Sequence, residues 1–382
     1  MNGKCSAAGR GAFAILTKAA PGTGNFVTAE RLAECVRSSG YADCIIVEES
    51  LFETPALFSR WLEEHSVVFV LGVHAFRAGR LLCEGTVAFG IVLGGTDVNV
   101  DLQGPSAKRD ICIKAVLRAR FVVAFSEEMA ARLKAALLIC LPSTSLVESV
   151  LRNVTVIHQS VCVPEDVLRD RTALPPVHRH IGLPPDIRVI LLPAALRPIK
   201  DPLFLLPALQ LHNASCGFQG PLPRFCLVLV GPSLDDDTLR SVQEACQLQP
   251  QSCVYLGLQP RRMVLHWMLS SFCVANTSES EGMSGTILEA MAVGCPVLAR
   301  HNAGNCNLVK HGVNGFIFVS AAEAVQQCLA LESGGDGLRA LICSAAAGTV
   351  AQGHSRESEL LAFNGLFRTH ACVQHSSDRS CS

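Results

Sequence analysis

Asn276-Thr277-Ser278-Glu279-Ser280-Glu281-Gly282-Met283-Ser284-Gly285-Thr286-Ile287-Leu288-Glu289-Ala290-Met291 runs without a break from a polar, glycine-containing loop into a short helix. Ser278 to Gly285 has no apolar periodicity, whereas Thr286 to Val293 is rich in helix formers and stops at Gly294, a natural C-cap, with Pro296 just beyond. The pattern predicts a helix N-terminus near Ser284. Such an end offers unpaired backbone amides and the positive end of the helix dipole, so a phosphate at Met283 to Thr286 is stabilised without any side chain. Gly282 and Gly285 let the backbone come close to it. Glu281 and Glu289 stand eight residues apart. At about 100° per residue they would lie roughly 80° apart on one continuous helix, so they serve one ligand only if Glu281 projects from the loop.

Outward from this junction, short apolar runs alternate with helical segments, the pattern of parallel sheets covered on both faces. Phe13–Leu16, Cys44–Val47, Val67–Val73, Phe89–Leu93, Phe121–Phe125 and Val154–Ile157 predict one sheet. Asn25 is the expected cap of a helix carrying Leu32 and Val36 inward and ending at Gly40. A second series begins at Val189 and continues through Phe225–Val230, Val254–Leu256, Phe272–Ala275, Val297–Ala299 and Phe316–Phe318. Ligands of open parallel sheets bind where strands end at a topological switch point. Arg197 and Lys200 follow the first strand of the second series and can address one pyrophosphate with charge-assisted hydrogen bonds. Asp201-Pro202 is expected to start the next helix.

Between the two series, Val163 to Pro185 loses periodicity and gathers prolines at 164, 175, 176, 184 and 185. The expected organisation is a flexible N-terminus over 1–11, a Rossmann-like N-terminal domain over 12–165, a linker over 166–185 and a second Rossmann-like domain over 186–350. A C-terminal helix over 351–370 and a tail over 371–382 complete it, with a Gly-rich turn at 332–337.

A chain of 382 residues can hold two cores, and 49% apolar residues exclude wholesale disorder. A net charge of −1 provides no broad basic field for nucleic acid or an anionic membrane. No two of the 18 cysteines lie closer than Cys246 and Cys253, so neither a redox dithiol nor a zinc knuckle is spelled out. Most sit in apolar runs, which reads as reduced thiols in a cytoplasmic protein. No stretch reaches a transmembrane length, and Ala12–Leu16 is too short for a signal peptide. Sequons at Asn153, Asn213 and Asn276 are read as chance, since a glycan at the third would obstruct the loop.

The run from Leu227 to Phe318 resembles the donor half of retaining glycosyltransferases of the GT-B fold, in the family 4 group that carries a Glu, seven residues, Glu motif. Leu227-Val228-Leu229-Val230-Gly231-Pro232, Val254-Tyr255-Leu256-Gly257 and Ser271-Phe272-Cys273-Val274-Ala275-Asn276 precede the motif in that family's order. Cys295-Pro296-Val297-Leu298-Ala299-Arg300 and His311-Gly312-Val313-Asn314-Gly315-Phe316-Ile317-Phe318 follow it, and Leu196-Arg197-Pro198-Ile199-Lys200-Asp201-Pro202 is similar to its basic loop. With Gly22–Asn25 and Phe89–Asn99 the resemblance covers most of the chain.

The resemblance implies an α/β GT-B fold, two doubly wound domains facing an interdomain cleft, with the acceptor domain first, the donor domain second and the final helix crossing back. It assigns Glu289 to the ribose of a nucleoside diphosphate sugar and Glu281 to hydroxyls of the transferred hexose, with Gly282, Met283 and Ser284 offering amides. A carboxylate suits both tasks, since it accepts two hydroxyls and offsets oxocarbenium charge. Arg197 and Lys200 balance the leaving diphosphate, so no metal and no cofactor beyond the sugar nucleotide is expected, and the acceptor is left unnamed. His74, after the run Ser66–Val73, matches the acceptor-side histidine of similar enzymes. Gly22 and Gly24 after the first strand, and Asp97 and Asn99 at another strand end, are the further cleft residues, with a tight turn and an Asx-turn as their structural readings. The chain departs from the family at Gln159–Cys162, where relatives carry glycine, and at Ala303–Asn307, where asparagine replaces glutamate.

Two other readings are open on the same residues. One is a GT-B protein that binds a sugar nucleotide without turnover. The other is a nicotinamide-dependent oxidoreductase, prompted by Gly22-Thr23-Gly24 after a strand and Glu48 at the end of the next, with Val27 where that motif needs a third glycine. Asp235-Asp236-Asp237 follows a Gly-Pro turn and reads as a helix start, not a metal motif.

Overall fold

The structure, a computed structural model, describes residues 11–371 apart from 19–20, 42, 171–172 and 216–223. It contains two compact units: the first ends its main segment at Gln159, the second runs from Ser160 to Ser355, and Arg356 returns the chain to the first. Of the expected flexible ends, 1–11 and 371–382, all but Gly11 and Ala371 lie outside the described residues.

In the first unit six strands, β1 Ala12–Thr17, β2 Cys44–Glu48, β3 Val67–Val73, β4 Ala88–Val92, β5 Val122–Ala124 and β6 Val154–Val156, form a parallel sheet in the order β2-β1-β3-β4-β5-β6. The chain adds β2 on one side of β1 and then crosses to the other for β3, so the topological switch lies between β1 and β3. Gly22 follows one of these strands and His74 the other. Strand alternation sends Ala14 and Leu16 into the core under Leu82 and Ala115. Phe13 goes to the opposite face, where its ring lies 5.1 Å from Phe69 and 5.2 Å from Phe367. Phe367 belongs to the last helix, Arg356–His370, which also buries Phe363 and pairs Glu359 with Arg31. That helix is part of the first unit.

The second unit holds β7 Arg188–Pro193, β8 Phe225–Val230, β9 Cys253–Tyr255, β10 Cys273–Asn276, β11 Val297–Arg300 and β12 Phe316–Phe318, all parallel, in the order β12-β11-β10-β7-β8-β9. Apart from the terminal Arg188, Asn276 and Arg300 the strands are apolar because both faces are covered. Val189 and Leu191 of β7 enter one core while Ile190 and Leu192 enter the other. The switch lies between β7 and β10, so their C-terminal ends meet at one crevice edge within this unit.

Several local expectations are corrected by side-chain chemistry. Thr23, not Asn25, caps the first helix, Gly24–Ser38, because its hydroxyl reaches the Phe26 amide. Asp201 does not open a helix: it stands in the left-handed region at φ 41° after a 3-10 turn, Pro198–Lys200, and the next helix starts at Leu206. The stretch 166–185, expected as the linker, carries two short helices, and Val167 and Val177 are fully buried in the second unit's core. Residues 332–337 hold a one-residue break between helices Ala321–Ser333 and Gly335–Gly353, not an open turn. Asp235 caps the helix Asp236–Leu248 through the amide and hydroxyl of Thr238, as its position after Gly-Pro suggested. Every described cysteine is a free thiol, and no described helix is long and apolar enough to cross a membrane.

Candidate functional site

At the end of β10 the chain turns through Thr277–Ser284 before the helix Gly285–Val293, with Ser284 as N-cap and Gly294 closing it at φ 77°. Glu281 projects from this loop and not from the helix. Its Oε1 accepts hydrogen bonds from Lys200 Nζ at 2.6 Å, Ser278 Oγ at 2.7 Å and Asn276 Nδ2 at 3.1 Å. Burial pushes the Glu281 carboxyl up, but the Lys200 ammonium and the hydrogen bonds from Lys200, Ser278 and Asn276 outweigh it and hold the group below the ordinary carboxylate value. The result is a nearly buried, ionised carboxylate. Among the described residues no protein group takes the amides of Gly282, Met283 or Ser284, which stand at the head of the helix.

Lys200 arrives from the other side of the switch. After β7 the turn is tied down by the Leu196 amide on the Pro232 carbonyl at 2.8 Å. A side chain at Gly231, φ 149°, would place its Cβ 2.1 Å from the Ala194 oxygen, so only glycine lets these two turns touch. Arg197 is extended and partly exposed at the start of the 3-10 turn that carries Lys200. The Glu279 amide on the Ile199 carbonyl, 3.0 Å, and the Thr277 hydroxyl on the Lys200 carbonyl, 2.8 Å, then stitch the two loops together. Arg300, at the end of β11, adds an ion pair to Asp201 at 2.7 Å and a bond to the Thr277 carbonyl.

The altered segment Ala303–Asn307 lies directly behind this loop. Asn302 donates to the Ser278 carbonyl at 2.8 Å, and Asn305, fully buried, donates to Asn276 Oδ1 at 3.2 Å and the Arg300 carbonyl at 2.8 Å. A Cβ on Gly304 would meet the Glu281 carbonyl oxygen at 2.4 Å. Asn276, Ser278, Asn302, Gly304 and Asn305 all support Glu281. No local sequence signal marks Asn305 or Gly304 as its neighbours, because they are brought there by the β10–β11 pairing.

Glu289 keeps different company. On the helix one turn beyond Gly285 it pairs with Arg261 Nε at 2.6 Å, while Arg261 also donates to the Cys162 carbonyl at 2.7 Å. The two acids therefore each have their own cation. Arg261 had no motif to announce it.

In the first unit His74 follows β3 at φ 83°, a conformation that costs a non-glycine residue on the order of 1–3 kcal/mol. Asp97, wholly buried, maintains it by accepting the amides of Ala75 and Gly94 at 2.8 Å and of Phe76 at 3.4 Å. His74 Nδ1 lies 2.5 Å from Asp97 Oδ1 and its Nε2 lies 3.8 Å from Asp101 Oδ2. Burial first, then the nearby Asp97 charge, pushes the Asp101 carboxyl up against the pull of His74. These three residues offer ligand-type atoms within 4.8 Å of one another, the group among those described that could hold a metal ion. Asn99 accepts from Arg132 at 3.1 Å. Gly22 stands in the left-handed region at φ 76°, where the turn after β1 needs glycine, and Gly24 opens the following helix.

Comparison with known proteins follows the same lines. Residues 176–336 match the family described as glycosyl transferases group 1. The chain is 29% identical over 321 residues to glycosyltransferase 1 domain-containing protein 1 of Xenopus tropicalis, covering 80% of this chain and 82% of that one. Among solved structures it is similar to Anabaena HepE in complex with UDP-glucose, with a TM-score of 0.69 at 16% identity over 94% of this chain and 100% of the other. It is also similar to sucrose-phosphate synthase from Thermosynechococcus elongatus, with a TM-score of 0.70 at 16% identity over 94% and 99%.

Proposed function

We propose, from the match of residues 176–336 to glycosyl transferases group 1 and from the GT-B fold, that this chain moves a hexosyl group from a nucleoside diphosphate sugar to an acceptor hydroxyl, with retention of anomeric configuration and without a metal. The observation that carries the reading is the Lys200–Glu281 ion pair standing at the head of the helix Gly285–Val293, at the switch between β7 and β10.

As the glycosidic bond breaks, negative charge collects on the departing diphosphate and positive charge on the anomeric carbon. Lys200, Arg197 and the amides of Gly282, Met283 and Ser284 answer the first. Glu281, kept ionised by its surroundings, accepts hexose hydroxyls and answers the second. Glu289 takes the ribose. His74 serves the acceptor side, with Asp97 holding both its backbone and its ring. The cytoplasm is the proposed location, in keeping with free thiols at every described cysteine.

HepE was solved with UDP-glucose, which makes UDP sugars the first donors to try. The test incubates the protein with UDP-glucose and other nucleotide sugars, with and without a chelator, and follows release of the nucleoside diphosphate. Glu281→Gln is expected to abolish release while circular dichroism stays native. Full activity in that variant would remove Glu281 from the reaction.

A further inference from the structure

Arg261 is the first residue of the helix Arg261–Ser270, and its guanidinium is held at two points. Nε donates to Glu289 Oε1 at 2.6 Å and a terminal nitrogen donates to the Cys162 carbonyl at 2.7 Å. A planar guanidinium fixed at two donors cannot rotate, so the carboxylate it grips is fixed as well. Glu289 has a side chain only 17% exposed, and among the described residues Arg261 is its hydrogen-bond partner. Four residues along the helix from Gly285, it sits about 6 Å of axial rise beyond the amides that face the diphosphate, within reach of the sugar next to that group. Cys162 belongs to the segment that departs from the family pattern, and its carbonyl is what anchors the arginine.

We propose that Arg261 is a positioning residue for recognition of the nucleotide's ribose: it occupies one oxygen of Glu289 and thereby presents the other to the ribose hydroxyls. This rests on the assignment of Glu289 to the ribose. Loss of the guanidinium frees the carboxylate to rotate, and the ribose then pays for ordering it. Lysine at the same place keeps the charge but cannot hold both the carboxylate and the Cys162 carbonyl in one plane.

The test is calorimetric titration of the full-length protein with the tightest binder among UDP, GDP and ADP, with its 2′,3′-dideoxy form, and with inorganic pyrophosphate. For Arg261→Gln the affinity for the ribonucleotide is expected to fall roughly tenfold, pyrophosphate binding to stay within about twofold, and the preference for ribo over dideoxy to shrink. Arg261→Lys should fall between, and covers the case in which the glutamine variant does not fold. Unchanged or tighter ribonucleotide binding in Arg261→Gln, or an equal loss for pyrophosphate, would overturn the proposal. Glu289→Gln separates the two levels. If it binds like the wild type, the ribose assignment fails and takes the proposal with it. If it loses affinity while Arg261→Gln does not, the assignment stands and only the positioning role is gone.

Discussion

Removing Lys200 should expose how much the site depends on one ion pair. At 2.6 Å the gross attraction to Glu281 is about 6 kcal/mol for an effective dielectric of about 20, most of which desolvation takes back. Stripping one partner from a well-buried pair costs about 3–5 kcal/mol. Here the side chains are 16% and 12% exposed, and Ser278 and Asn276 still donate to the carboxylate, so Lys200→Ala should cost less, about 2–3 kcal/mol. For a unit of this size that is a fall of about 5–10 °C in the second unit's thermal transition. Glu281→Gln should cost only about 1 kcal/mol, because the lysine stem can carry its charge to water. The double variant leaves no unpaired charge, so its loss should be smaller than the sum of the two by about 1–2 kcal/mol. Acid unfolding gives a second reading of the same pair. The folded Glu281 carboxyl lies below its ordinary 4.5, so its contribution is complete above that value and disappears as the pH drops through the folded value. Without Lys200 only the hydrogen bonds from Ser278 and Asn276 hold the carboxyl down, so the stability lost on acidification should be smaller than in the wild type. Additive single losses, within about 0.5 kcal/mol, together with an undiminished acid-dependent loss in Lys200→Ala would refute the coupling.

Gly304→Ala puts a methyl against the Glu281 carbonyl, 2.4 Å away, so despite the better helix propensity of alanine it should destabilise by about 1–3 kcal/mol and weaken donor binding in titration. Wild-type stability and affinity would show that the Glu281 loop does not rest on this glycine. Phe367→Ala opens the cluster of Phe13, Phe121 and Phe363 under the last helix and should cost the first unit about 3–5 kcal/mol in denaturant unfolding. Nucleoside diphosphate binding should be retained, since Phe367 lies in the other unit from Lys200 and Glu281.

How much of this was legible beforehand differs element by element. All twelve strands lie where short apolar runs occur, because a strand buried on both faces must be apolar along its whole length. The helix Gly285–Val293 is placed by its local chemistry, its end fixed by Gly294 and its start expected near Ser284, which is the N-cap. At Asn25 and Asp201 the structure departs from the expectation: the neighbouring Thr23 hydroxyl takes the cap in one case, and a left-handed residue after a 3-10 turn stands in place of the helix start in the other. The supposed linker at 166–185 has Val167 and Val177 in a core, which its prolines concealed.

By itself the sequence determined the two parallel sheets and a helix beginning near Ser284, because each depends on residues a few positions apart, and it singled out Glu281, Lys200 and Glu289 as candidates. Only the tertiary structure decided which cation holds which acid: Lys200 on Glu281 across 81 positions, Arg261 on Glu289 across 28, and Asp97 on the strained turn at His74. Such pairings are set by strand order and by burial, which remove water from a few charged atoms and leave them one partner within reach, and neither quantity is written in local spacing.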